Sequence, residues 1–236
     1  MRRQALSITW TPGIKPEEAQ AMISTVQETL GLLRRSLGPP GQFDPLPSVR
    51  VFGAWMIPAV PQGSAYWGIE WYVQQSLNVT RQFLIGSRYL SVISMEPWQN
   101  QDPHFDLALT DLSLIDDSLD DEPEVLGVAK AGMASVVSTH LLLRIREPHK
   151  RLPALRHAVA HYFGRMAGVP RRRGRSDVVT YNDKLLCTNT CAMRPLSSAE
   201  EAVIYAQQQS RAGVLFCEPC QLDLIALLTG FHYGLN

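Results

Sequence analysis

The sequence predicts an α/β (α+β) fold, helices packed on a mixed sheet, with a small C-terminal part pinned by cysteines. Three observations carry that expectation. Helix-period and β-branched segments interleave along the chain instead of falling into separate blocks. At 236 residues and 45% hydrophobic, the chain can bury one core without disulfide staples. All four cysteines lie in the last third, as two short-spaced pairs.

Residues 16–37 open with Pro16-Glu17-Glu18 and repeat apolar side chains at Ala19, Met22, Ile23, Val26, Leu30 and Leu33. Steps of three and four predict an amphipathic helix, with proline in its first turn and Gly38-Pro39-Pro40 ending it. Val49 to Ile57 reads as a strand closed by Pro58 and Pro61. Thr80 to Ser94 reads as a helix and Phe105 to Thr110 as a short strand. Asp116 to Glu124 holds six carboxylates in nine residues and reads as a solvated loop, because it lacks the glycine spacing of a calcium loop. Val125–Val128 and Ala134–Leu143 are β-branched segments around a Lys130-Ala131-Gly132 turn. Leu152 to Ala167 is the next helix, left through Gly168-Val169-Pro170. The expected organisation is one domain over 1–236. Within it, 1–48 form the first helix and a Pro/Gly-rich connection, 49–167 the sheet and a histidine-bearing helix, and 168–236 a basic arm and the cysteine-rich end.

Composition excludes some functions. Twenty-two basic residues balance 22 acidic ones, which argues against a general polyanion binder. The cluster Arg171-Arg172-Arg173-Gly174-Arg175 has no interleaved aromatics and reads as a solvated loop. No apolar run reaches the roughly 20 residues of a membrane span. The opening Met1-Arg2-Arg3 leads to no apolar segment of a secretion signal, so an intracellular location is expected. In a reducing compartment, cysteines serve as metal ligands or free thiols.

Two features carry chemistry. On the helix 152–167, Leu152, Leu155, Val159, Phe163 and Met166 share one face, and His157 and His161 the other. Histidines at i and i+4 can converge on one ion, but zinc needs at least three ligands, so the pair by itself is a weak signal. Cys187 and Cys191 are separated by three residues, Cys217 and Cys220 by two, with 25 between the pairs. That spacing fits a closed four-thiolate zinc site, structural rather than catalytic; the alternative is four reduced core cysteines.

His157-Ala158-Val159-Ala160-His161-Tyr162-Phe163-Gly164 follows the metzincin pattern HExxHxxGxxH up to its glycine, with Ala158 in the place of the catalytic glutamate. Together with Cys187-Thr188-Asn189-Thr190-Cys191-Ala192-Met193 and Cys217-Glu218-Pro219-Cys220, it resembles the archaemetzincin family of zinc metallopeptidases over roughly residues 80 to 222. The resemblance implies a metzincin-like mixed sheet and a zinc site at His157 and His161. It also implies Met193 as the Met-turn beneath the histidines, and a peptide or protein partner laid along the Val125–Val128 strand, in a cleft that both His157 and His161 face. Two departures count against hydrolysis. Alanine at 158 can neither polarise a zinc-bound water nor shuttle its proton. Ala167 stands where the third histidine is expected, which leaves Asp177 or Asp183 as possible substitute ligands. The expectation is a zinc metallopeptidase relative with lost or impaired activity. Alternatives are a zinc-stabilised peptide- or partner-binding pseudoprotease, and a protein with one four-cysteine zinc whose arginine arm meets nucleic acid.

Overall fold

The computed structural model describes residues 5–38, 44–54, 61–78, 80, 82–119, 121, 123–171, 174–181 and 184–230. In chain order the elements are β1 (Ala5–Trp10), α1 (Pro16–Leu37), β2 (Ser48–Gly53), α2 (Ile69–Ser76), β3 (Leu77–Asn78), β4 (Phe83–Ile85), α3 (Gly86–Ser94), β5 (His104–Thr110) and β6 (Leu114–Ile115). They continue with β7 (Gly127–Lys130), β8 (Ala134–Ser138), α4 (Pro148–Ala167), β9 (Val178–Tyr181), β10 (Lys184–Cys187), α5 (Ala199–Ala212) and α6 (Glu218–Thr229).

The main sheet has the order β2-β1-β5-β8-β7. Its first four strands are parallel, and β7 turns back antiparallel to β8 as an edge. β5 lies at the centre and is buried on both faces. Its odd residues Phe105, Leu107 and Leu109 enter a core with Met22 and Leu30 of α1 and Leu155 and Phe163 of α4. Its even residues face the other layer, where Ala108 packs with Tyr72 of α2 and Tyr89 of α3. The result is a sheet between two helical layers, as interleaved elements require.

α1 forms where expected. Met22, Val26, Leu30 and Leu33 are at most 1% exposed, and Glu18 reaches back to the Lys15 amide at 3.0 Å to cap the first turn. β1 was not legible as a strand: it is paired on both edges and buried on both faces, so ALSITW shows no polar-apolar alternation.

Three expected boundaries differ. The helix expected from Thr80 begins at Gly86, because Phe83–Ile85 is held as a strand between β3 and β6. The segment after Ser138 leaves the sheet for a 3-10 turn, Leu141–Arg144, where the Ser138 hydroxyl donates to the Leu112 carbonyl. α4 starts at Pro148 and is packed by α1, α5, α6, β7 and β8, so it is buried nearly all round rather than along one stripe. Leu152, expected in that stripe, is 36% exposed. Of the strand expected to Ile57, residues 55–57 lie outside the described residues.

The acidic stretch is not simply solvated. Asp116 is 7% exposed and pairs with Lys184 at 3.0 Å, Asp117 accepts from the Ser87 amide at 2.9 Å, and Glu124 pairs with Arg144. The cysteine-rich end shares the α4 core: Cys187, Cys191, Met193, Phe216, Cys220 and Leu224 belong to the same apolar cluster as Val159 and Phe163.

Candidate functional site

α4 carries both histidines into the interior, His157 at 1% and His161 at 5% exposure. The His157 Nδ1 lies 2.8 Å from Gln209 Oε1 on α5. The orientation of that amide is set by its Nε2 donating to the Leu215 carbonyl at 2.9 Å. The His161 Nδ1 lies 2.8 Å from the Ala192 carbonyl. Both partners accept, so each ring carries its proton on Nδ1 and presents a lone pair at Nε2. Burial pushes both imidazoles down, His161 to about 3, so both are neutral at physiological pH. The His157 Nε2 is buried without a hydrogen-bond partner.

The turn that receives His161 also fixes Met193. Met193 is fully buried, and its sulfur lies so close to Gly164 that a Cβ there would stand 2.2 Å away. Glycine is therefore required three residues after His161 by close approach. The same holds at Gly127, where a Cβ would meet the Tyr162 ring at 2.6 Å.

His161, Tyr162 and Arg165 line a cleft of about 810 Å³ whose wall includes Val125 and Gly127–Lys130 at the β7 edge. Both histidines were expected to face such a cleft. His161 does, whereas His157 is covered by α5, with Tyr205 5.5 Å from its ring and Gln209 bonded to it. The cleft also holds Arg165, Lys184 and Asp116, which sequence reasoning missed.

The residues present do not complete a catalytic metal shell. Among the described residues no His, Cys, Asp or Glu joins His157 and His161 in a group of three possible ligands. Ala167 is still helical, and Gly168 caps α4 in the left-handed conformation. Six residues of α-helix put position 167 about 120° round from His161 and about 9 Å further along. Asp177 is elsewhere, paired with Arg175 at 2.7 Å and accepting from Asn189 at 2.8 Å beside Cys187. Asp183 lies outside the described residues.

The cysteines do come together. β10 ends in Cys187, the following turn holds Cys191, Cys217 caps α6, and Cys220 is in its first turn. The four sulfurs lie within 4.8 Å of one another, and no pair is oxidised. The amides of Met193 and Cys217 each donate to Cys191 Sγ at 3.4 Å. The Arg175 Nη2 is 3.4 Å from Cys220 Sγ and 3.8 Å from Cys187 Sγ. Four thiolates around a divalent ion carry a net charge of −2, which these donors offset. Crowded thiols split their proton affinities: hydrogen bonds from Cys187 and its neighbours lower Cys217, and the same neighbours raise Cys220. This donor set fits zinc. Arg175, expected in a solvated arm, is only 13% exposed and pairs with Asp177 and with Asp223 at 2.6 Å. Arg172 and Arg173 lie outside the described residues.

Comparison with solved structures finds two that share this fold. The crystal structure of archaemetzincin from Methanopyrus kandleri matches 96% of this chain and 96% of its own, with TM-score 0.57 and 18% identity. A zinc-dependent peptidase from Methanocorpusculum labreanum matches over 93% of this chain and 100% of its own, with TM-score 0.56 and 14% identity. No family model matches the chain, nor does any curated protein. The chain has the archaemetzincin fold on a divergent sequence, and among its described residues no helix is long and apolar enough to cross a membrane.

Proposed function

We propose that this chain is a peptide-binding relative of the zinc peptidases that does not hydrolyse its ligand, built around a structural zinc at Cys187, Cys191, Cys217 and Cys220. The observation that carries the reading is the unfinished shell at the histidines. Two neutral imidazoles stand on α4, the chain gives them no third ligand among the described residues, and Ala158 supplies no carboxylate. Hydrolysis needs a firmly held ion and a base for its water, and both are wanting. Met193 then serves as packing beneath α4, and His161 as a polar floor of the cleft.

The binding element is the β7 edge. The Leu126 carbonyl accepts from Ser138 in the ladder at 2.8 Å. By antiparallel alternation, Val128 and Lys130 also bond inward, and Gly127 and Ala129 turn their amides and carbonyls outward along the cleft. An extended peptide can add there as a further strand. The Asp116–Lys184 pair and Arg165 give that cleft fixed charges against which side chains of the peptide are read. The arginine arm does not favour nucleic acid as ligand, since Arg175 is spent on Asp177 and Asp223.

Unstructured fluorescent peptides incubated with the zinc-loaded full chain test the reading. The expected result is saturable binding without cleavage, weakened about tenfold or more by Ala129→Pro, which removes one outward amide and leaves the ladder to β8 intact. Zinc-dependent cleavage by the wild-type chain, or binding indifferent to Ala129→Pro, would overturn it.

A further inference from the structure

On the far side of the sheet from α4, three ionisable side chains meet in a buried group. Glu96 follows α3, and His104 and Asp106 lie at i and i+2 on the same face of β5. They are 2%, 4% and 3% exposed. One donor atom from each lies within 4.8 Å of the other two.

We propose that Glu96, His104 and Asp106 form a binding site for a divalent transition-metal ion, separate from the cysteines and from the histidines of α4.

Distances favour an ion over a hydrogen-bonded triad. The His104 Nε2 is 3.6 Å from Glu96 Oε2 and 3.4 Å from Asp106 Oδ2. Hydrogen bonds from an imidazolium close to about 2.7–3.2 Å. Ligands around a tetrahedral zinc with bonds of 2.0–2.2 Å stand roughly 3.3–3.6 Å apart.

The ring is also set up as a ligand. His104 Nδ1 lies 2.6 Å from the Asp102 carbonyl, which can only accept, so Nδ1 carries a proton. Gln99 donates its amide Nε2 to Asp106 Oδ2 at 2.8 Å, and the same NH₂ group approaches His104 Nε2 at 3.4 Å. A ligating histidine commonly has its other ring nitrogen held by a carbonyl in this way, which fixes the tautomer and the ring orientation.

Glu96 supplies the independent sign. Its Oε1 accepts from the Tyr72 hydroxyl at 2.5 Å, while its Oε2, turned toward His104, is buried without a hydrogen-bond partner. An orphaned carboxylate oxygen in the interior is costly. Charge gives the same answer. Two carboxylates and an imidazolium leave a buried charge of −1, whereas two carboxylates, a neutral imidazole and a divalent ion sum to zero. The ion would tie the chain after α3 to the central strand, and Tyr72 and Gln99 would hold its carboxylates.

Anomalous diffraction from crystals of the full chain equilibrated with zinc tests the site. The expected result is a peak at bonding distance from His104 Nε2, Glu96 and Asp106, in addition to a peak at the cysteines, which shows that zinc has entered the crystal. A peak at the cysteines with none at His104 overturns the proposal. In solution, Glu96→Gln keeps the Tyr72 acceptor and the side-chain volume. It is expected to lower the zinc content by one ion per chain, with affinity for that ion weakened at least about 100-fold. An unchanged content in the folded variant overturns the proposal as well. If the variant does not fold, the wild-type map decides.

Discussion

Gly164 and Met193 are interlocked: the methionine sulfur occupies the space into which any side chain at 164 would grow, 2.2 Å from where its Cβ would be. The neighbouring Ala192 carbonyl holds His161. One turn therefore packs against α4 and orients an imidazole at the same time. Gly164→Ala is expected to cost about 1–3 kcal/mol by overpacking. In Gly164→Ala/Met193→Ala the new methyl enters the vacated volume, so the double variant should be more stable than the sum of the two singles by about 0.5–3 kcal/mol. Urea denaturation of the four proteins checks this, and additive losses would show that the contact is not the cause.

Removing one thiolate from a closed zinc site leaves an incomplete shell and strands Arg175 beside it. Cys217→Ser should release the ion and lower the melting temperature severely, because binding energy at such a site is folding energy. Chelation of the wild-type protein should reproduce the loss. A variant melting within about a degree of wild type would remove zinc from the account of folding.

How much of this was legible follows from where each signal resides. α1 declares itself because one face meets a core and the other water, so Met22, Val26 and Leu30 recur at helical period. β1 and the start of β4 do not, because strands buried on both faces lose alternation and Phe83-Leu84 happens to continue the period of Leu90 and Ile93. The cysteine pairs were readable because ligand spacing is local: a strand end, a turn and a helix start. The α4 histidines were readable as a pair, but that α5 covers His157 through Gln209 and Tyr205 depends on a contact 52 residues away in the chain. Arg175 looked like one of four arginines in an arm, and only the fold brings it to Asp223. Glu96, His104 and Asp106 left one faint trace, a histidine and an aspartate at alternate positions of a mostly apolar strand.

Burial of neutral His161 makes stability depend on pH. The unfolded imidazole titrates near 6.5 and the folded one at about 3, so between those values the unfolded state holds a proton that the folded state does not. Stability from this group is full above 6.5 and falls as pH drops, by about 1.4 kcal/mol per pH unit. His161→Gln, which retains a donor and cannot titrate, should lose less over pH 7 to 5. The stability difference between wild type and variant should narrow by about 1–2 kcal/mol. Parallel curves from urea titrations at pH 7, 6 and 5 would mean that His161 is not held neutral by burial.

The final expectation concerns repair of the hydrolytic site. Ala158→Glu restores a carboxylate next to His157, and if that were the single defect, zinc-dependent peptidase activity should follow. The geometry of α4 argues that it will not. The helix runs unbroken through Gly164 to Ala167, so position 167 points away from His161, and Asp177 is held at the cysteine site by Arg175 and Asn189. A glutamate without a firmly bound ion has no activated water to work on. Ala167→His added to Ala158→Glu should fail for the same reason, since a histidine about 120° round the helix cannot reach the ion that His161 would hold. Cleavage of unstructured peptides, measured with zinc and abolished by chelation, checks both variants, with circular dichroism to confirm that each folds, because Ala158 is fully buried. Activity in Ala158→Glu alone would mean that a residue outside the described segments, such as Asp183, closes the shell.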